Sequence, residues 1–328
     1  MKAQQVKTET ALEPLAPPTK NQSFWADNLR QLWANTWSVL KQLFKNPLSA
    51  SGFIILLGFT LVALLAPWLA PPPERHFNPY MIPQDGYSST PHPPSVQHPL
   101  GTTQNQYDIF YGLIWGTRTA FIIGIIVIFF TLLVGIVIGA VSGYFGGWID
   151  EILMRITEIF LAFPSLVATM VLVTILGRGL DKVMIAFIVF GWMAYARLIR
   201  GNVLQAKENT YVEAARAAGA NAARILFRHV VPNAIFPVLV VASLDIGTVV
   251  LGAAALSFLG IGAPEGYADW GQMINYAHNW ILGTNDDKLA YWYTIFFPGL
   301  TISLFVLGWN FIGDAFRDIF DPRLRGTR

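Results

Sequence analysis

The chain has 328 residues, 54% of them hydrophobic and only 13% charged, against roughly 25% charged in soluble globular proteins. A net charge of +2 supplies no bulk field for nucleic acid, and the absence of cysteine excludes a disulfide scaffold, a Cys-ligated zinc, an iron–sulfur cluster and a thiol nucleophile. No lysine directly follows a glycine, so a GxxxxGK[ST] phosphate loop is absent, and any ATP used with this protein binds to another chain.

Residues 1–22 are polar and contain proline, which predicts a disordered tail. Over 23–47, Trp25, Leu29, Leu32, Trp33, Trp37, Leu40, Leu43 and Phe44 recur at helical spacing between a Ser23 cap and a Pro47 stop. That pattern, with Lys41 and Lys45 near its end, predicts an amphipathic helix lying in the lipid interface; the alternative is the same helix packed on protein. The uncharged stretch 48–66 reaches about 28 Å and forms a first span. A signal peptide fits poorly, because a long polar lead precedes this stretch and no clear small-x-small site follows it. Residues 67–115 are rich in proline and predict an extended loop outside the membrane.

Apolar stretches at about 119–142, 159–177, 183–199, 234–259 and 291–313 complete six spans, with both termini on one side. Lysine and arginine set the orientation. With the termini inside, 17 of them fall on inner segments and 4 on outer ones, a strong positive-inside signal. The second span carries Gly135, Gly139 and Gly143 on one face, a groove for close backbone approach by another helix. Residues 260–290 hold Tyr267, Trp270, Tyr276 and Trp280 with Glu265, Asp269, Asp286 and Asp287; this is either a surface for a soluble partner or an aromatic belt. His76, His92, His98 and His278 are spaced irregularly and are expected as solvated loop residues, not metal ligands.

The segment 205–233 is too polar to span. Tyr211–Ala218 predicts a helix, Gly219 breaks it, and a second helical stretch from Ala222 to Arg228 runs to a stop at Pro232. Such a helix–glycine–helix, small and apolar on one side, suits docking into a groove of a cytosolic protein.

Here the sequence resembles a known family. Glu213-Ala214-Ala215, three residues and then Gly219 is similar to the EAA loop of type I ABC importer permeases. His229-Val230-Val231-Pro232-Asn233 resembles the close of that loop in the dipeptide/oligopeptide branch. His98-Pro99-Leu100-Gly101-Thr102, Gly143 to Asp150 (GYFGGWID), Leu256 to Gly260 (LSFLG), Gly313-Asp314, Arg317-Asp318 and Asp321-Pro322-Arg323 match the same branch, so the likeness runs from about residue 40 to 326. The chain departs from the pattern at Thr103–Asp108, where only the last acid is kept, and at Ala253, where the branch often carries glutamate.

The resemblance implies an all-α polytopic membrane protein of six spans with both termini cytoplasmic. Its type I transmembrane domain covers 117–314, followed by a cytoplasmic tail over 315–328. It implies a second, homologous permease subunit forming a heterodimer, two ABC ATPase subunits that bind ATP and Mg, an extracytoplasmic substrate-binding protein, and a bacterial or archaeal plasma membrane. The permease itself performs no chemistry and binds no cofactor or metal. Tyr211, Glu213, Ala214, Ala215, Gly219, His229 and Pro232 would form the coupling element against the ATPase. The implied cargo is a dipeptide or oligopeptide; similar permeases serve oligosaccharides and nickel chelates.

Asp245 stands alone among the apolar residues of the fifth span. An ionised acid at the bilayer centre costs roughly 2.5–3.5 kcal/mol on insertion scales, so it should face protein or water. It either lines the pathway, where it could meet a substrate amine, or bonds another helix. A secondary transporter would need internal repeats or acids in several spans; an intramembrane enzyme would need a catalytic pair at membrane depth. Neither pattern is present, and GxSxG and HExxH are missing.

Overall fold

The first helix starts where Asn46 accepts a hydrogen bond from Leu48 N at 3.0 Å and Pro47 occupies the first turn, where its missing N–H costs nothing. A computed structural model describes residues 43, 44, 46–73, 78–283 and 287–320. The predicted tail over 1–22, nearly all of the interfacial helix over 23–47, His76, Asp286 and Asp321-Pro322-Arg323 lie outside the described residues.

The long helices are α1 (Pro47–Leu69), α2 (Ile109–Phe145), α5 (Leu180–Ala206), α9 (Phe236–Phe258) and α11 (Trp292–Phe320). Between them lie α3 (Gly147–Leu161), α4 (Ser165–Leu176), α6 (Thr210–Ala217), α7 (Ala222–Ile225), α8 (Val231–Ala234) and α10 (Trp270–Ala277). Five helices are long and apolar enough to cross a membrane, and the pair α3–α4 makes a sixth if it is one span.

That pair corrects the expectation of a straight third span over 159–177. The chain bends by 83° between Leu161 and Ser165. Pro164 supplies no N–H and disfavours helical backbone at Phe163. The 12 residues of α4 reach only about 18 Å. Helix α2 begins at Ile109, inside the stretch read as loop, because Asp108 accepts from Tyr111 N at 2.7 Å and so caps it.

Helix α2 is central. It packs along α5 and also touches α1, α9 and α10, while α11 packs on α1 and α9. At one end, called the cap end here, segment 78–108 and α10 cover the bundle. Trp115, Trp270, Met273, Tyr293 and Phe305 are buried there. Phe305 lies edge-on to Phe59 at 5.3 Å and to Phe121 at 5.2 Å, the arrangement aromatic quadrupoles favour. At the opposite, loop end, Tyr195, Ile199 and Val203 of α5 meet Val212, Ile225, Leu226 and Val230.

Candidate functional site

The glycine face of α2 lies against α5. A Cβ on Gly135 would stand 2.6 Å from Tyr195 Cβ and 2.8 Å from the carbonyl of Trp192, and one on Gly143 would stand 2.9 Å from the carbonyl of Arg200. At Gly139 it would collide with Ile199 and with the carbonyl of Ala196. Glycine at these positions is what lets the two backbones touch.

Below that seam an ion pair fixes the base of α5. Arg200 donates from Nε to Asp150 Oδ1 and from Nη2 to Asp150 Oδ2, both at 2.6 Å, while Ser142 also donates to Oδ1. Lys207 adds a hydrogen bond to the carbonyl of Gly143 at 3.1 Å. A bidentate guanidinium–carboxylate pair is the strong form of such a contact. Asp150 closes the motif GYFGGWID, and its partner Arg200 lies 50 residues away, a pairing that no local spacing marks.

The clamp leads directly into the loop. In α6 the buried Val212 is the anchor, while Tyr211, Glu213, Ala214, Arg216 and Ala217 face outward and Ala215 is half-buried. Gly219 has φ +81°, a left-handed turn that few other residues adopt without strain. Asn221 then accepts from Arg224 N at 2.8 Å and starts α7. Ile225 and Leu226 are buried, Phe227 and Arg228 are exposed, and His229 is half-buried.

The expected stop at Pro232 is not there. One turn of π-helix over Leu226–Val230 runs into α8, and Pro232 sits in the first turn of α8, where a missing N–H is tolerated. Tyr211 and Asn233, from opposite arms of the loop, line one polar recess of about 210 Å³ with Asn202, Gln205 and Asn209.

Asp245 lies near the middle of α9 and is half-buried. Tyr195 donates to its Oδ2 at 2.7 Å. Both side chains line a cavity of about 300 Å³, which Thr131, Phe163, Thr169 and Phe190 also line. The broken span therefore opens on the same space as the lone acid.

At the cap end two expectations change. His98 is not solvated: Nδ1 lies 2.6 Å from Asp108 Oδ2 and Nε2 lies 3.3 Å from Asp85 Oδ2. Burial disfavours its cation, but the hydrogen bonds and charges of Asp108 and Asp85 outweigh that and hold its pKa above the ordinary imidazole value. Asp269 and Trp270 are not surface residues either. Both are buried; Asp269 caps α10 by accepting from Gln272 N at 2.8 Å, and Trp270 Nε1 donates to the carbonyl of Leu113. Burial pushes the Asp269 carboxyl up to about 6, against the opposing pull of the N–H groups of Gln272 and Gly271 and the Ser257 hydroxyl. Among the described residues no group of His, Asp and Glu is arranged to hold a metal.

Five helices long and apolar enough to cross a membrane, packed round a glycine seam, are those of a multi-pass membrane protein. The chain belongs to the binding-protein-dependent transport system inner membrane components, whose sequence profile matches residues 135–326. A second profile, the N-terminal TM domain of oligopeptide transport permease C, matches residues 23–99. The chain is 36% identical to the dipeptide transport system permease protein DppC of Alkalihalophilus pseudofirmus, over 99% of this chain and 100% of that one. It is 35% identical to the glutathione transport system permease protein GsiD of Escherichia coli O157:H7, over 92% and 93% of the two chains. It is 33% identical to DppC of Bacillus subtilis, over 88% and 86%.

Proposed function

We propose that this chain is one of two permease subunits in an ATP-driven importer of peptides, seated in a bacterial or archaeal plasma membrane with both termini inside. The observation that carries this reading is the match to permease relatives along nearly the whole chain, including two named for dipeptide transport and one for glutathione transport. An extracytoplasmic binding protein delivers the substrate at the cap end. Two ATPase subunits, which hold ATP and Mg, take the exposed face of α6 at the loop end.

Local geometry supports each role. Val212, Ile225 and Leu226 tie the loop to the bundle, leaving Glu213, Ala214 and Arg216 free to enter a groove. The exposed residues 162–164 at the bend leave a face for the second permease subunit.

The test is purification of the chain from its native membrane, followed by peptide uptake in vesicles. A second permease and ATPase chains should copurify. Glu213→Lys, which reverses a charge on the docking face, and Gly219→Pro, which cannot adopt the φ found there, should insert normally and abolish uptake. A stable, active chain without partners, or wild-type uptake by both variants, would overturn the proposal.

A further inference from the structure

Among the described residues that line the mid-depth cavity, Asp245 alone carries a charge. The hydroxyl of Tyr195 is committed to Asp245 Oδ2. The hydroxyl of Thr131 donates to the carbonyl of Val127 at 2.8 Å, and that of Thr169 to the carbonyl of Ser165 at 2.7 Å. Each of these three hydroxyls therefore turns lone pairs and no proton to the cavity, while the hydroxyls of Ser165 and Thr248, which also line it, can donate. Among the described residues no lysine, arginine or histidine lies within ion-pair distance of Asp245. The apolar part of the wall includes Phe163, Phe187 and Phe190, and phenyl faces attract cations and repel anions. An acid at mid-membrane depth without a cationic partner is a site for one.

We infer that Asp245, oriented by Tyr195, is a subsite for an ammonium group carried by the substrate, which for a peptide is its free N-terminus. This rests on the peptide-importer reading above and names the substrate end that meets this subunit. The carboxylate and the phenyl rings would bind the ammonium in passing, while the rest of the peptide lies toward the opening at the α3–α4 bend.

The experiment uses the assembled importer in proteoliposomes, with a peptide and its N-acetylated form compared for wild type, Asp245→Asn and Tyr195→Phe. In Asp245→Asn, uptake of the free-amine peptide should fall about tenfold or more while that of the acetylated peptide changes little, because the lost interaction is Coulombic in a poorly screened site. Tyr195→Phe should give a smaller loss with the same preference. If Asp245→Asn does not assemble, the wild-type complex still decides: butylammonium should inhibit uptake of the free-amine peptide and butyramide should not. Equal loss for both peptides, or equal inhibition by both small molecules, overturns the subsite and leaves Asp245 as a partner for protein. Failure of the wild-type complex to move any peptide would instead break the underlying functional reading.

Discussion

At the cap end Gln106 is buried, donates to the carbonyl of Thr90 at 2.7 Å and accepts from the hydroxyl of Thr102, and the indole of Trp115 donates to the carbonyl of Ala70 at 2.9 Å. Even the buried Asp269 faces N–H groups and a hydroxyl, with no cation beside it. At the loop end the buried apolar anchors are joined by a bidentate ion pair, Asp150 on Arg200, with Lys207 beside it on a carbonyl. Neutral, buried bonds are directional and little affected by salt, and the cap adds to them one mixed cluster, His98 between Asp85 and Asp108. An ion pair at a partly wet site weakens as salt screens it. The loop end is thus held by apolar anchors and one salt-sensitive clamp, which suits the docking role proposed for it.

The comparison breaks first if the helices are separated between its two halves. Gly139→Leu should drive α2 off the Ala196 carbonyl and cost about 3 kcal/mol or more, read as thermal unfolding of the purified complex. Gly58, whose added Cβ would meet nothing within 4 Å, is the control, and Gly58→Ala should be silent. Equal melting of the two variants would mean that the seam is not tight.

Next, Arg200→Ala should cost about 1–3 kcal/mol, because it strands Asp150 at a site only partly open to water. Arg200→Lys should recover part of that, since one ammonium cannot take both oxygens in a fork. High salt should narrow the gap between wild type and Arg200→Ala. A gap unchanged by salt would remove the ionic half of the contrast.

The smallest effect belongs to the cap. With the Asp269 carboxyl at about 6 against an ordinary 3.8, the native state holds its proton longer than the unfolded chain does. Its contribution is complete below about pH 4 and lost as pH rises through about 6. Asp269→Asn keeps the helix cap and removes this titration. Relative to that variant, wild type should lose about 1–2 kcal/mol between pH 4 and pH 7. Parallel pH curves would show that Asp269 is not desolvated. The raised His98 works in the same direction at higher pH, and Asp269→Asn leaves that arm in place.

Much of this was readable in the sequence because it is local. Three glycines four apart mark a helix face, and Gly219 between alanine-rich stretches marks a turn. The bend in α3–α4 was missed because hydropathy averages over a window, and 159–177 stays apolar straight through it; Phe163-Pro164 was the available signal. Pro232 misled in the opposite direction: at a helix start it interrupts nothing. The pairing of Asp150 with Arg200 and of His98 with Asp85 and Asp108 depends on helix packing and loop closure, which no spacing rule contains. Trp270 and Asp269 looked like surface because aromatic and acidic residues in a connection usually are. Here α10 folds back over the spans and buries them.

The π-turn over Leu226–Val230 also bears on what chain lengths this loop can inherit. A π-turn holds one residue more than an α-turn does. Deleting one residue there would close the wide turn to ordinary α-winding, because a π-turn takes up a single extra residue without rotating the helix on either side of it. In descent, then, this stretch can shed one residue and keep the exposed face of α6 where it is, whereas one residue lost from a regular α-turn rotates what precedes it by about 100°.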